Sequence, residues 1–124
     1  MKLAYVDSSV WITYIEGFLP TYQQCIEEHL DKLAEEGWLF ATSDVVKLEI
    51  LPKLYATQND QFIALYQALF DSLTLLDSFP DVFKEALAIA QQAGLKAMDA
   101  IHVAIAKQQG CQCFISTDTH FKNL

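Results

Sequence analysis

Short, continuous apolar runs alternate along the chain with longer stretches whose apolar positions recur every three or four residues. Leu3 to Val6 is the first run, and it stops at Asp7-Ser8-Ser9. That pattern predicts a strand followed by a helix start. Val10 to Glu16 then reads as helix, broken by Gly17 to Pro20. Thr21-Tyr22-Gln23-Gln24 has the form of a capping box, opening a helix with Tyr22, Ile26, Leu30 and Leu33 on one face and Gly37 at its end. Trp38 to Ala41 is the second run. Thr42-Ser43-Asp44 caps a helix from Val45 to Leu51, which Pro52 bends or stops. Asn59-Asp60 caps a further helix from Gln61 to Asp71, with Phe62, Leu65, Tyr66 and Leu69 on its apolar face. Leu73 to Leu76 is the third run, closed by Asp77-Ser78. Pro80-Asp81 begins a helix ended by Gly94, and Met98 to Gln109 is another, ended by Gly110. Gln112 to Ile115 is the fourth run, closed by Ser116-Thr117-Asp118. Continuous apolar strands joined by helices predict an α/β fold, with a parallel sheet covered by helices on both faces.

Composition narrows the picture. The 124 residues contain no repeat, low-complexity tract or long charge run, so one domain over 1–124 is expected. With 52% apolar residues, disorder is excluded for the whole chain. Net charge is −8, and all eight cations are Lys. A non-specific DNA coat and an anionic membrane surface are therefore poor partners. Cys25, Cys111 and Cys113 lack a framework spacing and read as reduced thiols, the pair Cys111 and Cys113 as small buried hydrophobes. The first apolar run is too short for a secretory signal, and no stretch approaches the ~20 apolar residues of a membrane span. A soluble, cytoplasmic protein with no membrane partner is expected.

Candidate chemistry lies at the strand ends, where ligands bind in open α/β sheets. Asp7, Asp77 and Asp118 follow runs directly, while the second run ends in Ser43 and Asp44. One such Asp means little, because it is also a common helix cap. Asp44 and Asp60 are best read as caps, and Asp77 as turn chemistry beside Ser78. Glu49 and Asp99 are harder to dismiss, because each lies among apolar neighbours, and Asp99 opens the nearly all-apolar helix 98–109. Carboxylates rarely go inside unless paired or metal-bound. His102 reads as a satisfied structural histidine, without an assigned role. Asp7, Glu49, Asp99 and Asp118 are spread along the chain yet are expected to meet at one end of the sheet. Four bare carboxylates would repel, and a divalent cation removes that conflict. Oxygen ligation suits Mg²⁺ or Mn²⁺, and the matching chemistry is phosphodiester hydrolysis by activated water. Ser8, Ser43 and Thr117 adjoin the acids and are candidates to orient water or a carboxylate, with helix capping as the plain alternative for Ser43.

These residues carry a resemblance. Tyr5-Val6-Asp7-Ser8-Ser9-Val10-Trp11 resembles the first strand and turn of a PIN domain, and Ser43 to Glu49 its second acidic motif. Leu95 to Ala104, containing Met98-Asp99-Ala100-Ile101-His102, is similar to the third and most specific motif. Phe114 to Phe121 matches the fourth. The motifs fall in family order over essentially the whole chain, and chains of this length resemble the VapC-type toxins of bacterial toxin–antitoxin pairs. The resemblance implies a three-layer α/β/α fold around a parallel sheet of four or five strands, usually dimeric. It implies a Mg²⁺- or Mn²⁺-dependent ribonuclease site with Asp7, Glu49, Asp99 and Asp118 as the metal-binding, catalytic acids and Thr117 at a family polar position. It also implies an RNA substrate and a small antitoxin that inserts a basic side chain among the acids. The acidity and the missing Arg depart from many family toxins: only Lys is available for RNA, with Lys47, Lys53 and Lys96 near the motifs.

Two other readings compete with the ribonuclease. A catalytically weak PIN-like module for RNA or protein binding is disfavoured by the presence of all four acids. A phospho-receiver-like signalling domain would want an acidic pair after the first strand and a Lys after the last, where this chain has a lone Asp7 and Thr117-Asp118.

Overall fold

The computed structural model describes residues 2–117. In chain order the elements are β1 (Lys2–Val6), α1 (Ser8–Glu16), α2 (Pro20–Glu35), β2 (Trp38–Ser43), α3 (Asp44–Ala56), α4 (Asp60–Ser72), β3 (Thr74–Leu76), α5 (Val82–Ala93), α6 (Ala97–Gln108) and β4 (Cys113–Ile115). The strands form one sheet in the order β3-β2-β1-β4, and every neighbouring pair is parallel. This is the expected parallel α/β architecture, with four strands flanked by six helices among the described residues. No helix there is long and apolar enough to cross a membrane.

The sheet order positions the site. β2 and β3 lie to one side of β1, and β4 lies to the other. The chain's direction of travel across the sheet reverses between β1 and β4, and a crevice opens at their carboxyl ends. Val6 pairs with Ile115, and the Asp7 N–H donates to the Ile115 carbonyl at 2.9 Å. Asp7 and Ser116 therefore leave the sheet side by side, 109 positions apart in sequence. On the other flank Tyr5 pairs with Ala41, which puts Ser43, two residues on, on the same sheet face as Tyr5. The core runs from Tyr5, Val6, Val10 and Trp11 through Ile50, Tyr66 and Phe70 to Ala104 and Ile105.

Two local expectations are corrected. The capping box at Thr21 to Gln24 does not form: α2 starts two residues earlier, with Pro20 in its first turn and Leu19 as the cap residue. Proline's fixed φ suits that position, and its missing N–H would have had no partner there. The Gln23 side chain instead donates to the Tyr14 carbonyl at 2.9 Å. It packs over Gly17, whose left-handed φ of 60° ends α1 and where any Cβ would collide with it. Pro52 does not stop α3, which continues to Ala56. The carbonyl that loses its donor is that of Leu48, a residue 66% exposed, so water can serve it. Asn59 caps α4 as read from the sequence, its side chain accepting from the Phe62 N–H at 3.2 Å.

Candidate metal centre

Asp7 occupies the N-cap position of α1, yet its carboxylate makes no capping hydrogen bond. It turns instead toward hydroxyls. Ser9 Oγ and Ser116 Oγ each donate to Oδ2 at 3.0 Å, and Ser8 Oγ lies 3.5 Å from Oδ1. The residue is 5% exposed. Hydroxyls from two segments fix the orientation of this buried carboxylate. The helix-cap reading of Asp7 is thereby set aside by geometry.

Glu49 reaches the same place from α3, after β2. Its Oε1 accepts from Ser8 Oγ at 3.2 Å and contacts His102 Nε2 in a short hydrogen bond. That nitrogen also lies 3.8 Å from Asp7 Oδ1. One ligand atom each from Asp7, Glu49 and His102 falls within 4.8 Å of the others, the spacing of a cation site. The two carboxylate oxygens are ordinary ligands of a divalent ion, and the His102 nitrogen stands beside them as the hydrogen-bond partner of Glu49. Asp7 and the imidazole are buried, while the Glu49 side chain is 28% exposed and faces the opening. The residues present therefore fit a divalent cation.

The other residues singled out from sequence are placed as follows. Asp99 stands half-buried in the first turn of α6, one turn before His102. Asp118 lies outside the described residues. Thr117 is exposed, and its backbone N–H donates to Ser9 Oγ at 3.3 Å. Ser8 bridges Glu49 and Asp7. Ser43 is the N-cap residue of α3 but makes no side-chain cap bond. Its hydroxyl meets the Tyr5 hydroxyl at 2.8 Å. Asp77 is exposed and away from this cluster.

Three participants escaped the sequence reading, Tyr5, Ser9 and Ser116, and His102, read there as a satisfied structural histidine without a role, stands beside the acids. Tyr5 and His102 are fully buried, and the Tyr5 hydroxyl lies 2.6 Å from His102 Nδ1. Burial drives the Tyr5 phenol well above its ordinary pKa; Ser43 lowers it somewhat, and the nearby Asp7 and Glu49 charges raise it further. A signal for this pair was present. A hydroxyl in an apolar strand and an imidazole in an apolar helix each demand a buried partner.

Lysines near the acids are engaged elsewhere or point to solvent. Lys47 lies 3.9 Å from Asp44 and over the Phe70 ring, and Lys53 and Lys96 are exposed. A groove of about 730 Å³ between α1 and α2 adjoins the acids, lined by apolar residues including Val10, Phe18, Tyr22 and Ile26 and ending at Ser116 and Thr117.

A PIN domain model matches residues 4–124. Among curated proteins no sequence match is found. Several solved structures share the fold. VapBC2 from Rickettsia felis, bound to a DNA fragment from its promoter, superposes with a TM-score of 0.77 at 15% identity, covering 98% of this chain and 92% of that one. VapC20 of Mycobacterium tuberculosis, a Sarcin-Ricin loop cleaving toxin, gives 0.74 at 16% identity, covering 96% and 92%. A toxin–antitoxin complex from Klebsiella pneumoniae gives 0.67 at 19% identity, covering 94% and 87%.

Proposed function

Because the chain belongs to the PIN domain family, we propose that it is a metal-dependent endoribonuclease, the toxin of a toxin–antitoxin pair, acting in the cytoplasm as one domain over 1–124. One observation carries the reading: Asp7 and Glu49, 42 positions apart, converge to ligand spacing at the point where the sheet order reverses. Asp7 presents a carboxylate held by Ser9 and Ser116, and Glu49 presents one held by Ser8 and His102. Asp99 and Asp118 complete the set of acids by their match to the family motifs, with Thr117 beside them. Mg²⁺ or Mn²⁺ is the cation of choice, because carboxylates dominate this set and both ions accept water and phosphate oxygens alongside. Bound there, such an ion supplies Lewis acidity toward an RNA phosphodiester and the water that attacks it. The serine hydroxyls keep the acids in register without adding charge, leaving the negative site dependent on a cation before it can accept a phosphate.

The partner reading rests on the same charge. An acidic site in a chain of net −8 attracts a cationic side chain when no metal is bound, and we assign that side chain, Arg or Lys, to a small antitoxin. The toxin–antitoxin complexes among the structural neighbours support this. Phe83 and Leu87, one turn apart on α5 and 70% and 63% exposed, supply apolar surface for a homodimer.

The test is cleavage of a mixed pool of cellular RNA by the purified protein with Mn²⁺ or Mg²⁺, repeated with excess EDTA. The expected result is fragmentation that stops on chelation and resumes when metal is restored. Cleavage unaffected by EDTA would overturn the metal-dependent assignment.

A further inference from the structure

We propose that Tyr5 and His102 are positioning residues that hold the Glu49 carboxylate in place at the cation site. The inference rests on the reading of Asp7 and Glu49 as cation ligands. Glu49 is the weakly anchored member of that pair. Its side chain is long, rotates about three bonds and is 28% exposed on α3, whereas Asp7 is short, buried and held by serines from two segments. What reaches Glu49 from the interior is His102 Nε2, beside the Ser8 hydroxyl.

Behind His102 stands a buried chain of hydrogen bonds. Ser43 Oγ lies 2.8 Å from the Tyr5 hydroxyl, and that hydroxyl lies 2.6 Å from His102 Nδ1. The three residues are at most 1% exposed. Because a carboxylate only accepts, Nε2 carries the proton toward Glu49. With a single proton on the ring, Nδ1 is the acceptor, the Tyr5 hydroxyl donates to it, and Ser43 donates to Tyr5. In that tautomer each group in the chain has one role, and the direction runs from the sheet outward to Glu49. The rings are further locked by packing, since Tyr5 stacks on Phe114 at 5.5 Å and lies tilted against His102 at 5.6 Å. β1, β2 and α6 thus jointly set where an acid on α3 stands.

The experiment compares Mn²⁺ affinity, measured by calorimetry or by the paramagnetic resonance of free Mn²⁺, in the parent, Tyr5→Phe, His102→Asn and His102→Gln. Tyr5→Phe keeps the ring and its stacking and deletes one oxygen. His102→Asn can still meet Tyr5 but falls short of Glu49, while His102→Gln places an amide N–H near the position of Nε2. Loss of a partner that orients a metal ligand costs about 10- to 100-fold in affinity, and His102→Asn is expected in that range. Tyr5→Phe is expected to weaken binding by about 10-fold, and His102→Gln to recover part of the loss. In cleavage assays with Mn²⁺ saturating for each variant, kcat should fall while KM for RNA holds. Tyr66→Phe is the control, because it also deletes a buried hydroxyl but touches Glu16 rather than the acid site. It should leave Mn²⁺ affinity unchanged. Equal affinities in parent, Tyr5→Phe and His102→Asn would overturn the proposal, as would an equal loss in Tyr66→Phe, which would trace the effect to stability alone. A parent that binds no Mn²⁺ would overturn the cation-site reading and this inference with it.

Discussion

At the residue scale, two aspartates that follow strands have opposite fates. Asp7 is buried, and its carboxylate receives hydroxyls from Ser9 and Ser116. Asp77 is exposed, and its interaction with Gln109 is made by its backbone carbonyl, which accepts from Nε2 at 2.8 Å. Substituting each by Asn keeps size and turn chemistry while deleting a charge. Asp7→Asn should reduce metal-dependent cleavage by orders of magnitude, with the fold intact and stability altered by no more than about 2 kcal/mol. Asp77→Asn should leave cleavage nearly unchanged and stability within about 0.5 kcal/mol. RNA cleavage assays beside thermal melts of both variants read the difference. Equal activity in Asp7→Asn and parent would overturn the role of Asp7.

At the element scale, α4 is tied to α1 by a polar contact beside apolar packing: the Tyr66 hydroxyl donates to Glu16 at 2.7 Å. Removing it in Tyr66→Phe should cost about 1.5 kcal/mol, the value of a hydrogen bond to a charged acceptor. The same contact makes a prediction for alkaline pH. Burial first, then the Glu16 carboxylate, keeps the Tyr66 phenol protonated well above its ordinary 10.0. In the unfolded chain that phenol ionises near 10.0. Above that pH the unfolded state holds fewer protons than the folded one, so stability falls as pH rises. Cys111 acts in the same direction from pH 9, its thiol being pushed up to about 11 chiefly by burial, with Cys113 adding to it. Denaturant melts from pH 8 to 11 should show declining stability in the parent and a shallower decline in Tyr66→Phe. A flat profile in the parent would contradict the protonated, buried phenol.

At the scale of the whole molecule, charge decides how RNA docks. A chain of net −8 without Arg, with Lys47 already beside Asp44, can neutralise few phosphates. Each phosphate neutralised on a single strand contributes about −0.7 to the slope of log affinity against log salt. With about three lysines engaged the slope is expected near −2, and binding should require the divalent ion. Filter binding of a short RNA across a salt series, with and without Mn²⁺, measures both. Steep, metal-independent binding would contradict docking through the acid site.

The alternation of apolar runs and helical periods determined the parallel α/β class, the order of elements and the acids at strand ends, because those signals are local: a period of residues, a cap, a break. The resemblance to the PIN family rested on the same short motifs and supplied the grouping of Asp7, Glu49, Asp99 and Asp118. Sequence also marked His102 as a polar group inside an apolar helix, without saying what it meets, and Tyr5 passed as one more residue of an apolar run. The partners were decided by tertiary structure alone. Ser116 reaches Asp7 because β4 pairs with β1 rather than with its neighbour in sequence, and His102 reaches Glu49 across 53 positions because α6 packs against α3. Strand order and helix docking are settled by burial summed over the whole core, a non-directional force that leaves no periodic trace in any one segment. A local pattern can therefore show that a buried hydroxyl or imidazole needs a partner, while only the closed core decides which residue that partner is.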